Sequence, residues 1–228
     1  MNLTPLETGR GAAVNAAAAK LRDRILDGTL APGQRLIVRE LLDETGLGAS
    51  TLREALQRLA SDGLIKLSPN RGAEVQRFSR RDVRDLFQVR EALEAMAARL
   101  AALAIANGGP ATTLAALVAG MRRDGVSDSA AFIRENNLFH DEIVAISGNR
   151  RLAGVLERMQ PSIIILQTRS AMTRSNVEES FLEHLRIGDA ILAGDAEAAE
   201  RHMSEHMRRA CAWCLSLDSH LFRKEPDE

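Results

Sequence analysis

The sequence lacks the features that define several large classes of protein. Its only cysteines, Cys211 and Cys214, form one C-x-x-C pair with no second pair and no preceding strand, so packing is a better interpretation than a zinc or redox site. No apolar run is long enough to span a bilayer, and residues 1–10 lack the basic start and apolar stretch of a signal peptide. We therefore expect a cytoplasmic protein with no membrane partner.

A large charge of either sign is also missing. The net charge is −1 over 228 residues, a length that suits two domains. Residues 1–77 contain 11 Lys and Arg against 9 Asp and Glu, and residues 78–228 contain 19 against 22. Because the basic excess of the first part is small, affinity for nucleic acid must come from individually placed arginines and from duplication of the domain in a dimer.

The pattern of residues 38–63, VRELLDETGLGASTLREALQRLASDG, predicts two helices joined by a tight turn that contains glycine. The second helix has an apolar face, made of Leu52, Ala55, Leu56, Leu59 and Ala60. Its polar face is made of Thr51, Arg53, Glu54, Gln57 and Arg58. Either Ser50 or Thr51 is the expected N-cap, and Glu54 would complete a capping box with Thr51. Such a pair holds the second helix at an angle suited to a DNA major groove.

Two short apolar runs follow this pair of helices. Residues 64–67 and 73–75 flank a turn rich in Pro, Asn and Gly, and this pattern predicts a β-hairpin. An amphipathic helix over residues 14–26 is expected before the pair. Three helices and a hairpin favour a winged helix-turn-helix domain over residues 13–77, after a flexible segment 1–12. The alternative is a plain helical hairpin, which explains neither the wing nor the cap.

Several fragments of this region resemble the GntR superfamily of bacterial transcription factors. They match the family in order over about residues 13–77 and include LAPG at 30–33, REL at 39–41, LREAL at 52–56, DGL at 62–64 and RGA at 71–73. The resemblance implies that Arg39 and Arg53 contact DNA, and that Gly72 at the wing tip lets the backbone enter the minor groove. Ala49 stands where the family often has a basic residue, so one family contact is expected to be absent.

The resemblance, the polar face of the second helix and the wing together give a set of candidate DNA-binding residues. They are Arg39, Ser50, Thr51, Arg53, Gln57, Arg58, Arg71 and Gly72. The expected partner is palindromic operator DNA, because helix-turn-helix proteins bind two half-sites as two-fold dimers.

From Ser79 onward the sequence predicts helices almost throughout. The expected ranges are 79–107, 111–123, 127–146, 151–169, 176–193 and 196–221. Six helices with short connections and little strand signal predict an all-α antiparallel bundle over residues 78–228. The fold class is therefore expected to be mainly α, with an N-terminal winged helix-turn-helix domain and a C-terminal helical bundle.

Polar residues interrupt the apolar faces of three of these helices. Asn136 and His140 lie one turn apart in the third helix, His184 lies in the fifth, and His206 lies in the last. If the histidines converge, neutral imidazoles in an apolar cavity could hold a divalent metal ion, with zinc and nickel first among the candidates. The alternative is three separate core histidines, each bonded to a backbone carbonyl.

This second region is similar to the FCD ligand-binding domain of the FadR subfamily over about residues 80–215. The matching fragments are LFQVREALEAMAARL at 86–100, NNLFH at 136–140, Glu183-His184, Gly194-Asp195 and His206. The resemblance implies a divalent metal bound by Asn136, His140, His184 and His206, and six helices place the chain nearer the VanR-like branch. Asn136 replaces the commoner aspartate, which should weaken the site or change its metal preference. His202 is extra to the pattern, either an outer partner or a surface residue.

Arg90 lies between Leu86 and Leu93 on the apolar face of the first bundle helix. A buried guanidinium needs a carboxylate partner, and Glu94, one turn away, could serve structurally. The family resemblance favours the other interpretation, in which Arg90 binds the carboxylate of a small effector held beside the metal. Arg169 and Arg174, near a helix end, are further candidates for the same role.

Together these features predict a homodimeric transcriptional regulator, a repressor, that responds to a small organic acid bound beside a divalent metal. A direct metal sensor is one alternative. A metal-dependent enzyme is another, since three histidines around an open metal could activate water, but it would leave the winged domain unexplained.

Overall fold

The computed structural model describes residues 9–68, 72–125, 129–159 and 162–224. The chain divides into two compact units, one formed by residues 1–77 with 162–167 and the other by residues 78–161 with 168–228. Of the segment 1–12, predicted to be flexible, residues 1–8 lie outside the described part and residues 9–12 belong to the first helix. None of the described helices is both long and apolar enough to cross a membrane.

The first unit has the predicted winged helix-turn-helix architecture. Its elements are α1 (Gly9–Leu26), β1 (Arg35–Leu36), α2 (Val38–Thr45), α3 (Ala49–Ser61), β2 (Ile65–Ser68) and β3 (Gly72–Val75). The strands form an antiparallel sheet in the order β1-β3-β2, with Ile65 opposite Val75 and Ser68 opposite Gly72. Strand β1 was not predicted, because a two-residue strand is too short to show an alternating pattern.

The apolar face predicted for α3 forms the centre of this unit. Leu52, Ala55 and Leu59 are fully buried, and α1 packs against this face through Val14, Ala17 and Ala18. The small side chains of the alanines let α1 approach this apolar face of α3 closely. The other side of α3 is left for contacts outside the unit.

The cap predicted for α3 is wrong. The helix begins at Ala49, its N-cap is Gly48 in an extended conformation, and no side chain caps it. Ser50 and Thr51 therefore lie inside the first turn, where a side chain cannot serve as N-cap. Glycine is tolerated at an N-cap at a cost of a few tenths of a kcal/mol.

The remaining elements are helical. They are α4 (Arg80–Ala106), α5 (Thr112–Asp124), α6 (Ser129–Ile146), α7 (Arg150–Met159), α8 (Ser162–Thr168), α9 (Arg174–Leu192) and α10 (Ala196–Ser216), with 3-10 turns at Arg169–Ala171 and Ser219–Leu221. The Ser79 side-chain oxygen accepts a hydrogen bond from the backbone N–H of Asp82, and the Asp82 carboxylate accepts one from the backbone N–H of Ser79. The predicted start of α4 is therefore confirmed.

One predicted helix, 151–169, is two helices in the structure, α7 and α8. Residues 160 and 161, between the two helices, lie outside the described residues. The described part of residues 78–228 therefore has seven helices, not the six from which the likeness to the VanR-like branch was argued.

Helix α4 is the central helix of the second unit, and α6, α9 and α10 pack on it. Its packing face includes Ala97, Ala98, Ala101 and Ala102, all of which are fully buried. Small side chains at these positions bring the neighbouring helix axes close to α4. The chain therefore places side chains from α6, α9 and α10 around the same part of one helix.

Candidate functional site

The three histidines singled out in the sequence lie together in the second unit. His140 comes from α6, His184 from α9 and His206 from α10, and one ring nitrogen of each lies within 4.8 Å of the others. The Nε2 atoms of His184 and His206 are 3.3 Å apart. All three side chains are buried, and His184 also stacks on Phe139 with 4.6 Å between ring centroids. The predicted convergence is thus present in the structure.

Burial keeps His184 and His206 neutral. It lowers the pKa of His184 well below the usual value, and the neighbouring His206 and His140 add to this effect. Burial also lowers the pKa of His206 to about 4, although a contact with Glu183 acts in the opposite direction. A neutral imidazole offers a lone pair, which is the form that binds a metal ion.

His206 has a carboxylate partner on its other ring nitrogen. Its Nδ1 lies 2.7 Å from Oε2 of Glu183, and Arg209 donates to the same carboxylate. Arg209 and His206 hold the pKa of Glu183 below its usual value even though its partial burial acts to raise it. Because Glu183 is charged, Nδ1 of His206 carries the proton and Nε2 is free to face His184.

His140 has a similar neighbour in Glu94. Its Nδ1 lies 2.5 Å from Oε2 of Glu94, and Arg90 Nε donates to Oε1 of the same carboxylate at 2.7 Å. Burial raises the pKa of Glu94, but its contacts with Arg90 and His140 outweigh this effect and hold the pKa far below its usual range. Both ring nitrogens of His140 and Oε2 of Glu94 are buried and make no well-formed hydrogen bond among the described residues, so the 2.5 Å approach is a close contact of the two groups.

The donor set fits a divalent metal ion of intermediate softness. Three buried imidazoles from three helices each bring one ring nitrogen within 4.8 Å of the others, and a buried nitrogen without a hydrogen bond is costly unless something binds it. Asn136 is buried one turn before His140. Coordination of the metal by its amide oxygen, as a fourth ligand, stays a prediction. His202 lies outside the cluster and faces Glu205 of its own helix at 3.5 Å.

The three arginines proposed for an effector are placed very differently. Arg90 is buried beside the histidines, paired with Glu94 and stacked on Phe87 at 5.0 Å. Arg174 is exposed and pairs with Glu178 of its own helix, and Arg169 is exposed in the 3-10 turn after α8. Of the three, Arg90 is therefore the one that is buried and that shares a carboxylate with a clustered histidine.

Glu183 has a role that the sequence interpretation missed. The sequence analysis named Glu183 only as part of the Glu183-His184 fragment, but Glu183 contacts His206, which is 23 residues away in the chain. The signal available in the sequence was that Glu183 directly precedes His184 on α9, although consecutive residues of a helix point in different directions. Glu94 was foreseen only as a partner of Arg90, although it contacts His140 as well.

The candidate DNA-binding residues of the first unit lie on its surface. Arg39 on α2 and Arg53, Gln57 and Arg58 on α3 are exposed, as is Ser50, whereas Thr51 is half-buried. Gly72 is exposed at the start of β3 with φ 82°, a conformation that other residues rarely adopt. Arg53 and Gln57 line a groove that is completed by Leu67, Ser68 and Gly72 of the wing. Arg71 lies outside the described residues.

A winged helix-turn-helix unit with exposed arginines, followed by a helical unit with a buried histidine cluster, is the organisation of a DNA-binding transcriptional regulator. Two protein families match this organisation. The family described as "Bacterial regulatory proteins, gntR family" matches residues 13–75, and the family described as "FCD domain" matches residues 85–209, which is more than half of the chain. The chain belongs to the GntR family of bacterial regulatory proteins and carries an FCD domain.

Curated relatives match most of the chain. The transcriptional repressor GlaR of Escherichia coli is 29% identical over 198 residues, which cover 82% of this chain and 89% of GlaR. The transcriptional regulator YdhC of Bacillus subtilis is 28% identical over 195 residues, with 84% and 86% covered. The repressor RspR of Escherichia coli is 27% identical over 191 residues, 82% of each chain. These relatives are regulators, which confirms the prediction of a DNA-binding regulator and not an enzyme.

Solved structures show the same fold. A GntR transcriptional regulator from a Rhodococcus species has a TM-score of 0.74 at 22% identity, covering 91% of this chain and 99% of its own. The Escherichia coli protein McbR/YncC has a TM-score of 0.72 at 24% identity, covering 89% and 96%. The fold class predicted from the sequence is thereby confirmed.

Proposed function

We propose that this regulator is a homodimeric repressor whose affinity for palindromic operator DNA is controlled by a small carboxylate bound beside a divalent metal in the helical unit. The convergence of His140, His184 and His206 in one buried cluster is the observation that carries this proposal. A ligand controls DNA binding only if it favours one arrangement of the two winged units of the dimer over the other. Zinc and nickel are among the ions that imidazole ligands suit, and they are the first candidates.

The metal would be held by the three histidines, with Asn136 as a weaker fourth ligand. Asparagine brings no negative charge, so the ion would keep more of its positive charge than in a site with aspartate. A bound divalent ion in a buried site attracts an anion. This chain's own residues then determine which anion can enter and how it is oriented.

Arg90 is the residue that supports a carboxylate as the effector. It is buried next to the histidine cluster, and a planar guanidinium binds a carboxylate through two parallel hydrogen bonds. Its Nε is already bonded to Glu94. An incoming carboxylate would therefore bond to the terminal nitrogens of Arg90 or displace Glu94 from it. Dicarboxylates, hydroxy acids and sugar acids are compact anions of this kind.

The effector assignment predicts that Arg90→Ala loses most of its affinity for the acid that releases the wild-type protein from its operator. Loss of hydrogen bonds to a charged group costs about 1.5–3 kcal/mol, or ~10-fold to ~150-fold in affinity. Arg90→Lys should recover only part of this loss, because an ammonium group lacks the planar fork. Calorimetric titration of metal-loaded protein with a panel of organic acids measures both affinities.

Arg90→Lys matters because Arg90→Ala leaves Glu94 buried and unpaired, at a cost of about 3–5 kcal/mol to the folded state. The matched control is Arg99→Lys, on the same helix, where the arginine pairs with Glu200 at the surface. Equal binding of the acid by Arg90→Lys, Arg99→Lys and wild type would make Arg90 a structural partner of Glu94. Operator release by metal alone would support the direct metal sensor in place of the effector.

An exposed apolar stripe on α4 supports a dimer formed through the helical unit. Val89, Met96 and Leu103 are each more than two-fifths exposed and are spaced seven residues apart, so they line one side of the helix over about 21 Å. The charge of Arg99 on this side is neutralised by Glu200. The stripe is symmetric about Met96, so a two-fold axis there would place Val89 against Leu103 of a second copy.

The dimer assignment predicts that Met96→Glu weakens self-association of the full chain. Two glutamates would face each other at the two-fold axis, and juxtaposed like charges cost several kcal/mol, enough for a loss of ~100-fold or more. Light scattering at micromolar concentration should report a dimer for wild type and a monomer for Met96→Glu. Leu182→Glu, at an equally exposed leucine on α9, is the control and should stay dimeric. A dimeric Met96→Glu protein would place the interface elsewhere.

A further inference from the structure

Two of the three clustered histidines share a pattern that the third does not. Nδ1 of His206 lies 2.7 Å from a carboxylate oxygen of Glu183, and Arg209 donates to the other oxygen of Glu183. Nδ1 of His140 lies 2.5 Å from a carboxylate oxygen of Glu94, and Arg90 donates to the other oxygen of Glu94. The first arrangement is an Arg–Glu–His chain of hydrogen bonds between α9 and α10. In the second, Arg90 bonds to Glu94 and Glu94 lies close to His140 without a well-formed hydrogen bond to it.

The arginine gives each carboxylate a fixed position. A carboxylate held by one oxygen cannot rotate freely, so its second oxygen stays at the histidine. The side chains of Arg90 and Glu94 are each only 5% exposed, and that of Glu183 is 16% exposed, so water competes little for these contacts. The carboxylate then selects the ring form with the proton on Nδ1, and this leaves the lone pair on Nε2.

We infer that Glu94 and Glu183 are positioning residues that commit His140 and His206 to coordinate through Nε2, with Arg90 and Arg209 holding the two carboxylates in place. The inference rests on the metal-binding function proposed above. It agrees with the direction of the His206 ring, whose Nε2 faces Nε2 of His184, and with the close approach of Nδ1 of His140 to Glu94, which leaves Nε2 as the ring nitrogen away from that carboxylate. It also gives Arg90 a second task besides any contact with an effector.

Glu183→Gln tests the inference, and the chain supplies a matched control. Glu179 also pairs with Arg209, at 3.4 Å, but the structure places no histidine contact on that pair. Loss of an outer partner of a metal ligand costs ~10-fold to ~100-fold in metal affinity. Competition titration of zinc against a chromophoric chelator should show this loss for Glu183→Gln and a change within about 2-fold for Glu179→Gln, since exposed ion pairs contribute little. Glu183→Asp should recover part of the affinity.

A second readout follows the ring proton itself. Long-range nitrogen NMR of the metal-free protein distinguishes the two neutral forms of each histidine. We expect the Nδ1–H form for His206 in wild type and in Glu179→Gln, and a mixture or the Nε2–H form in Glu183→Gln, because an amide N–H can donate to Nδ1. Glu94→Gln should change His140 in the same way, with Glu91→Gln, whose glutamate pairs with Arg208, as its control.

The outcomes separate the inference from the function on which it rests. If wild type and His206→Ala bind zinc equally weakly, the metal site itself is wrong. If His206→Ala loses zinc but Glu183→Gln keeps both wild-type affinity and the Nδ1–H form, the metal site stands and the positioning role is overturned. Loss of affinity together with a changed ring form, in a variant that retains its helical circular dichroism, supports the inference.

Discussion

Wild-type protein is expected to purify with about one equivalent of a divalent metal ion per chain, and His184→Ala is expected to purify without it. His184 is almost fully buried at the centre of the cluster and faces Nε2 of His206, so its removal takes one of three imidazole ligands from the site. Two imidazoles and an amide form a much weaker set of ligands than three imidazoles and an amide. Elemental analysis of protein purified without chelators measures the stoichiometry.

Thermal unfolding gives an independent measure of the same site. A ligand that binds only the folded state stabilises it by about 2.7 kcal/mol at a free concentration 100 times Kd. Added metal should raise the Tm of wild type and leave that of His184→Ala unchanged. His202→Ala is the matched control, because His202 lies one turn before His206 but faces Glu205 outside the cluster. Equal metal content in all three proteins would make the clustered histidines structural.

Arg53→Ala is expected to abolish specific operator binding while leaving the fold intact. Arg53 is exposed on α3, the helix whose other side is buried against α1, so the substitution removes no packing. One base contact contributes about 1–3 kcal/mol per half-site, and a dimer loses it twice, which corresponds to a loss of at least ~30-fold. Gel-shift titrations with operator and with scrambled DNA measure the specific and non-specific affinities.

Two further variants separate base reading from simple charge. Lys20→Ala removes one positive charge from an exposed position on α1 and should weaken binding to both DNAs to a small and similar degree. Arg53→Lys keeps the charge but lacks the fork, so it should retain most non-specific affinity and lose most discrimination. Unchanged operator affinity of Arg53→Ala would remove Arg53 from the recognition surface.

The parts of the fold that follow from short-range patterns were predictable from the sequence. The apolar face of α3 and the start of α4 at Ser79 depend on residues three or four positions apart, and a periodic pattern records such relations. The N-cap of α3 did not follow the local preference. Ser50 and Thr51 are better capping residues than Gly48, yet the helix begins after Gly48.

The candidate site was predictable only in part, because its residues come from separate helices. The inward direction of His140, His184 and His206 could be read from each helix alone, and their convergence could be proposed. The contact of Glu183 with His206 depends on how α9 and α10 pack against each other, which no local pattern encodes. For the same reason Glu94 could be assigned to Arg90, one turn away on its own helix, but not to His140 on α6.

The pairing of Arg90 with Glu94 means that the chain contains its own competitor for the effector. A tethered carboxylate has a fixed effective concentration at its partner, commonly in the millimolar range or above for short connections. If effector binding displaces Glu94, the concentration of free acid must exceed the effective concentration of the Glu94 carboxylate before the acid occupies the site. The regulator would then not respond to trace amounts of the acid but would respond once the acid accumulates. The threshold concentration would be set by the spacing of Arg90 and Glu94 on α4.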